Sequence, residues 1–263
     1  MTSVAEIRFY AELNDFLAPE RRQQDVRYGF HVAPSVKDAV EALGVPHTEV
    51  DLILANGVPV DFSYRLADGD RISVYPVFEA IDVSSVSRLR SEPLRRIRFV
   101  ADTHLGTLAR YLRLLGFDTG FHADRTDDDL AGISADERRV LLTRDRGLLK
   151  RRAVTHGLFI RADDPEQQLI DVVRRLHLLG QLRPFSRCMA CNDVIEPVDK
   201  RVVAERLEPR TRREFDQFSL CRGCGRVYWE GSHHRRLLGI VERVRQEASG
   251  RAGEDGEASS RSR

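Results

Sequence analysis

Apolar and polar residues alternate over Ala5–Tyr10 and again over Asp25–Val32, the period-two signature of half-buried strands. Pro34 and Ser35 then lead into a helical stretch, Val36–Leu43. Further strands are predicted at Val50–Ala55, Val58–Val60 and Arg71–Pro76, with turns at Asn56-Gly57 and Asp68-Gly69-Asp70. The order ββαβ(β)β marks residues 1–80 as a compact α+β domain. Residues 81–95 are rich in Ser and Arg with little periodicity and read as a linker. From there the rhythm changes. Short apolar strands are predicted at Ile97–Ala101, Thr119–His122, Val140–Thr143 and Leu158–Arg161. Helices fall between and after them at Leu105–Leu115, from Asp128 to Gly132 or slightly beyond, at Arg146–Arg152 and at Pro165–Leu179. The first of these helices places Leu105, Leu108, Ala109, Leu112 and Leu115 on one face, and Gly116 is positioned to close it. Strands alternating with helices over residues 96–184 predict an α/β domain with a parallel sheet and right-handed crossovers. Residues 185–246 hold two cysteine pairs and a closing helix, Arg235–Val244. Residues 247–263 are Gly-, Ser- and charge-rich and are expected to be disordered.

Composition sharpens this division. Among the 263 residues, 41% are hydrophobic and 32% charged, enough for real cores in a chain of several domains. No apolar run approaches the ~20 residues that cross a bilayer, and the first residues lack the pattern of a signal peptide. A cytoplasmic protein with no membrane partner is therefore expected. The net charge of +1 hides an asymmetry: residues 1–80 carry 7 Lys/Arg against 13 Asp/Glu, whereas residues 81–185 carry 19 against 15. An acidic head on a basic body suits an anionic partner for the body. Nearly every basic residue is Arg, which suits bidentate phosphate contacts, although a GC-rich genome produces the same bias.

The predicted strand ends of the middle domain are acidic. Asp102 follows the first strand, Asp127-Asp128-Asp129 the second, Asp145 the third, and Asp163-Asp164 the fourth. Carboxyl ends of parallel strands share one sheet edge, where ligands bind. Carboxylates gathered there repel one another and call for a hard divalent cation, Mg²⁺ or Mn²⁺, which activates water against a phosphodiester. Arg110, Arg113, Arg144, Arg146 and Arg151 are the candidate RNA-binding residues for its phosphates. The plainer reading is that such aspartates cap helices: Asp127 or Asp128 before Leu130, and Asp163 or Asp164 before Pro165.

Two resemblances add to this. Asn56-Gly57-Val58-Pro59-Val60 with Leu66-Ala67-Asp68-Gly69-Asp70-Arg71-Ile72 resembles ubiquitin-like β-grasp proteins of the sulfur-carrier type. The chain continues through Val77-Phe78-Glu79-Ala80 without the diglycine tail that carriers use, so recognition or regulation is expected of the head rather than carrier chemistry. Phe99-Val100-Ala101-Asp102-Thr103-His104-Leu105-Gly106, the run Leu108–Asp118, and Leu141-Leu142-Thr143-Arg144-Asp145 resemble the PIN-like nuclease fold, and more narrowly the Mut-seven C-terminal RNase family. That resemblance covers about residues 96–236. It implies Asp102, Asp127 (in Asp127-Asp128-Asp129-Leu130, with Asp128 as the neighbouring alternative) and Asp145 as catalytic carboxylates. The interval between the first and third is shorter than in larger PIN nucleases, so the site is expected to be minimal or to be completed by Asp163, Asp164 or another chain.

Cys188-x-x-Cys191 and Cys221-x-x-Cys224 flank 29 residues. Two such knuckles present four thiolates that close tetrahedrally on structural Zn²⁺, and a dithiol redox role lacks its usual context. The runs around them match the zinc ribbon of the same family. Tyr228, Trp229, His233 and His234 stand among arginines, where they stack on unpaired bases or pack the small ribbon. The reading in front is a metal-dependent ribonuclease acting on RNA. Behind it stands a non-catalytic RNA-binding or adaptor protein. A phosphatase-like enzyme ranks third, because position 104, where a second Asp is expected, is His. The partner of the β-grasp head is unknown.

Overall fold

The computed structural model describes residues 2–76, Leu89 and 97–250, without the side chain of residue 250. The continuation 77–80, the expected linker apart from Leu89, and positions 251–263 of the expected tail lie outside the described residues. The chain folds as two compact units, one of Met1–Arg96 with Thr126–Ile160 and one of Ile97–Arg125 with Arg161–Arg263. Along the sequence the elements run β1 (Ser3–Phe9), β2 (Asp25–Phe30), α1 (Val36–Ala42), β3 (Val50–Ala55), β4 (Val58–Pro59), β5 (Arg71–Pro76), β6 (Phe99–Ala101), α2 (Gly106–Leu114), β7 (Thr119–Phe121), α3 (Asp127–Asp136), β8 (Val140–Thr143), α4 (Arg146–Leu149), β9 (Gly157–Phe159) and α5 (Pro165–Arg175). There follow β10 (Ile195–Val198), α6 (Lys200–Val203), α7 (Pro209–Glu214), β11 (Phe218–Cys221), β12 (Val227–Tyr228) and α8 (Ser232–Gly250). No helix among the described residues is long and apolar enough to cross a membrane.

In the first unit the head is a five-stranded sheet of order β2-β1-β5-β3-β4, with β1 and β5 parallel and the other neighbours antiparallel. This is the ubiquitin-like arrangement. Helix α1 starts in a capping box between Ser35 and Asp38, which satisfies two of its free ends. Its inner residues Val36, Ala39 and Val40 meet Ile7, Phe9, Ile53 and Val74 in one core. The turn motif has a structural reason. Buried Asp70 accepts from Asn56 Nδ2 at 2.8 Å, Tyr64 Oη at 3.0 Å and the Ala67 amide at 2.8 Å, so one carboxylate closes the β4–β5 connection.

The same unit carries α3, β8, α4 and β9, with β8 and β9 paired in parallel from Leu141↔Gly157 to Thr143↔Phe159. The head joins them through a buried, mixed contact. Phe159 packs on the head core, its ring 5.3 Å from Phe16 in an edge-on arrangement. Its amide donates to Glu49 Oε1 at 2.5 Å. Buried His47 sets Nδ1 2.6 Å from Glu41 Oε1 and Nε2 2.9 Å from the Val154 carbonyl. A carbonyl can only accept, so Nε2 carries a proton.

In the second unit β6 and β7 run parallel from Phe99↔Thr119 to Ala101↔Phe121, and α5 packs on both α2 and α8. Gly116 closes α2 at φ +96°, where a Cβ would lie 2.3 Å from the Arg183 carbonyl oxygen. The ribbon is an antiparallel sheet of order β10-β11-β12. Helix α5 stops at Arg175, short of the predicted Leu179, because the backbone turns left-handed at His177 (φ 51°). Helix α8 instead runs on through Gly250, past the point where disorder was expected, with Ile240, Val241, Val244 and Ala248 buried along one face.

Phe16→Ala opens a cavity at the contact between the head and Phe159 and is expected to cost about 3–5 kcal/mol of unfolding free energy. Val58→Ala on exposed β4 should change it by less than about 0.5 kcal/mol. Urea titration followed by circular dichroism compares the two; equal small effects would show that the contact does not stabilise the chain.

Candidate functional site

The aspartates emerge at element ends, and each has local work. Asp145 follows β8 and caps α4: the Gly147 amide donates to its Oδ1 at 2.6 Å and the Leu148 amide to the same oxygen at 3.3 Å. The second oxygen, Oδ2, takes no hydrogen bond among the described residues. The backbone is fixed as well, since the Asp145 amide donates to Thr143 Oγ1 at 2.9 Å. An exposed carboxylate is thereby held in one orientation with one oxygen free.

Asp127 and Asp128 are not the caps of α3. That place belongs to Thr126, in a capping box with Asp129. Both neighbours are exposed and face Arg151, which lies 3.5 Å from Asp127 Oδ2 and bonds Asp128 Oδ1. Asp102, in the other unit, is half-buried after β6 and caps the 3₁₀ turn Thr103–Leu105, accepting from the Thr103 amide at 2.6 Å. Asp164 caps α5 through the Glu166 and Gln167 amides, at 3.0 and 2.9 Å, which is the plainer reading made of this pair. Asp163 is exposed beside it.

The five arginines divide by environment. Arg110 and Arg144 are exposed. Arg151 is half-buried on the two aspartates. Arg146 is drawn to the head: its guanidinium lies 4.9 Å from the Phe16 ring centre and 5.4 Å from that of Phe159, and donates to the Phe16 carbonyl at 3.2 Å. Arg113 is buried, at 5% exposure, and donates from Nε to Thr119 O at 2.9 Å and from Nη1 to Met189 O and Ala190 O at 3.2 and 2.9 Å. Burial lowers its pKa, opposed by the negative groups of Cys188, Cys191 and Asp118. Arg113 and Arg146 thus hold structure together. The signal for Arg113 lay in the helical spacing, four residues after Ala109 on the apolar stripe of α2.

The four cysteines converge. Their Sγ atoms all lie within 4.8 Å of one another, with Cys188–Cys224 at 3.6 Å and Cys191–Cys221 at 3.3 Å. A tetrahedral site with Zn–S bonds of ~2.3 Å separates sulfurs by ~3.8 Å, so this donor set can bind zinc. The two turns are alike. Asn192 donates to Cys188 O and Gly225 to Cys221 O, each closing its knuckle in the left-handed region at φ 74° and 68°. Burial disfavours the Cys188 thiolate, yet donation from Tyr228 Oη, 2.9 Å away, and from the Cys191 and Ala190 amides outweighs it and brings the pKa down to about 6. Tyr228 therefore serves the ribbon. Trp229 stays partly exposed, and His234 stacks on Phe185 at 4.2 Å.

The first knuckle is tied to α2 and β7 from two sides. Arg113 holds its carbonyls. Asn192 accepts from the Thr119 amide at 2.9 Å and donates to Asp118 Oδ1 at 2.8 Å. Sequence reasoning did not single out Asn192; its place directly after the second cysteine of the knuckle was the available signal.

Two family models match the chain: one described as Mut7-C RNAse domain over residues 97–241, and one described as Mut7-C ubiquitin over residues 2–82. No curated protein and no solved structure matches it.

The purified chain should release one zinc ion per molecule when its thiols are titrated with a mercurial and the metal is read with a chromophoric chelator. Cys221→Ser should lose most of that metal and Tyr228→Phe should keep it. Full zinc content in Cys221→Ser would remove the four-thiolate assignment.

Proposed function

The chain belongs to the Mut7-C RNAse domain family, whose model spans more than half of it, and from this we propose that it is a metal-dependent ribonuclease of PIN-like fold. What supports the reading in this chain is Asp145, held rigid by two amides on one oxygen while the other is left free. Asp102, Asp127 and Asp145 are the proposed catalytic carboxylates toward Mg²⁺ or Mn²⁺, with Asp128 as the neighbour that can stand in for Asp127 and Asp163 as a possible completing residue. Their all-oxygen, anionic donor set fits a hard divalent cation. Such an ion, when bound, supplies a water of lowered pKa and neutralises charge on the scissile phosphate.

The chain's own groups orient and bind. Thr143 Oγ1 and the α4 amides fix Asp145. The Thr103 amide fixes one oxygen of Asp102. Arg110 and Arg144, both exposed, would meet the backbone phosphates of RNA. Arg151 balances Asp127 and Asp128 across a partly exposed ion pair. Such pairs are worth only about 0–1 kcal/mol, so a divalent cation can displace the arginine and free it for a phosphate. The four-cysteine site takes structural Zn²⁺, and its closed donor set leaves no open position for chemistry. The ubiquitin-like head serves recognition or regulation, toward a protein or RNA whose identity is open. The whole protein is proposed to act in the cytoplasm.

The pairing of Arg151 with two of the acidic residues also favours a second reading, in which the carboxylates are neutralised permanently and the chain binds RNA as an adaptor. Cleavage of labelled single-stranded RNA by the zinc-loaded protein, with and without added Mn²⁺, separates the two. The nuclease reading expects Mn²⁺-dependent turnover that falls at least about 100-fold in Asp145→Asn and in Asp102→Asn, with unchanged thermal midpoints. Salt-sensitive binding without turnover would instead establish the adaptor.

A further inference from the structure

An open pocket of about 410 Å³ lies between the start of α2, the end of β7 and the first cysteine knuckle. Its wall includes His104, Thr107, Arg110, Arg113, Phe121 and Met189, and among the described residues no carboxylate lines it. The volume falls within the ~300–1,000 Å³ of small-ligand sites. One side is cationic. Arg110 is exposed, and neither it nor His104 has a carboxylate or hydrogen-bond partner among the described residues. Arg113 is more than nine-tenths buried; its Nε and Nη1 serve three carbonyls, Asp118 and the cysteines of the first knuckle act on its charge, and its Nη2 has no hydrogen bond among the described residues. Two guanidinium groups lining one small cavity repel each other and are relieved by an anion between them. No side chain caps the N-terminus of α2, and no acidic residue sits in its first turn.

The apolar residues Phe121, Met189 and Ala190 belong to the same lining. Phe121 is packed against the backbone of α2: a Cβ on Gly106 would lie 2.8 Å from its Cζ. A bare inorganic anion would leave these apolar groups unused, whereas a nucleotide uses both kinds of lining, its phosphate on the arginines and its base on the aromatic ring.

We propose that this pocket binds one nucleotide of single-stranded RNA, with the phosphate on Arg110, Arg113 and His104 and the base against Phe121 and Met189. The assignment deepens the ribonuclease reading and rests on it for the choice of RNA. Asp102 caps the 3₁₀ turn that carries His104, so the nucleotide would sit beside a proposed metal ligand. The knuckle gains a second task, because its residues Met189 and Ala190, held by Arg113, form part of the wall.

Fluorescence anisotropy of a labelled single-stranded RNA decamer, with the full zinc-loaded chain and no added Mg²⁺ or Mn²⁺, tests this apart from cleavage. Arg110→Ala is expected to weaken binding about tenfold and to reduce the salt slope by about 0.7–1. Phe121→Leu should weaken it about tenfold, as for loss of one stacked base. Arg213→Ala, on exposed α7, should stay within twofold of the parent and serves as the control. Uridine and adenosine monophosphates should displace the probe at lower concentration than orthophosphate does. Binding within twofold of the parent in Arg110→Ala would overturn the site. An unaffected Phe121→Leu, or orthophosphate competing as well as the nucleotides, would overturn the nucleotide assignment. The two readings fail separately: loss of binding in Arg110→Ala beside full cleavage by Asp145→Asn would sink the proposed catalytic site and leave the pocket. The converse would sink the pocket alone.

Discussion

A buried guanidinium is tolerable only when its donors are met, and in the Ile97–Arg125 and Arg161–Arg263 unit the demand of Arg113 organises much of the surroundings. From the apolar stripe of α2 it reaches Thr119 at the start of β7 and the carbonyls of Met189 and Ala190 in the first knuckle. Asn192 doubles the link from the other side. A ribbon of short strands has little core of its own, formed by Val203, Leu207 and Phe218, and this polar anchoring together with the four-cysteine cluster gives it a fixed place in its unit. The four-cysteine cluster and the proposed RNA pocket are therefore coupled through one side chain.

The same economy appears in the other unit. Arg146 immediately follows Asp145, and its guanidinium is clamped on Phe16 and Phe159. The head thus touches the turn that presents a proposed metal ligand. His47 and Glu49 reinforce that contact at Val154 and Phe159. A ubiquitin-like domain with no diglycine tail gains a physical reason to be present: it buttresses the short α4 helix, which at four residues has little stability of its own.

Much of this was legible in the sequence because local rules and tertiary packing agree. The head's strands match the alternation to within a residue or two, Gly116 occupies the left-handed position expected of it, and the Cys-x-x-Cys pairs meet. The ribbon's strands escaped because their two to four residues lack the unbroken apolar run that marked β6 and β8. The structural contacts of two arginines were less legible: Arg113 stands on a helix face that its spacing marks as buried, and Arg146, though exposed, also meets aromatic rings more than a hundred residues away in sequence. Capping does not use up a carboxylate, since Asp145 gives one oxygen to its helix and keeps the other.

The central claim is that carboxylates fixed in this way hold a divalent cation. Its most direct test is Mn²⁺ binding to the zinc-loaded chain, followed by electron paramagnetic resonance of free Mn²⁺ during titration. The account predicts one Mn²⁺ per chain in the parent protein and loss of that site in Asp145→Asn. Equal Mn²⁺ binding by the two proteins, or none by either, would contradict it.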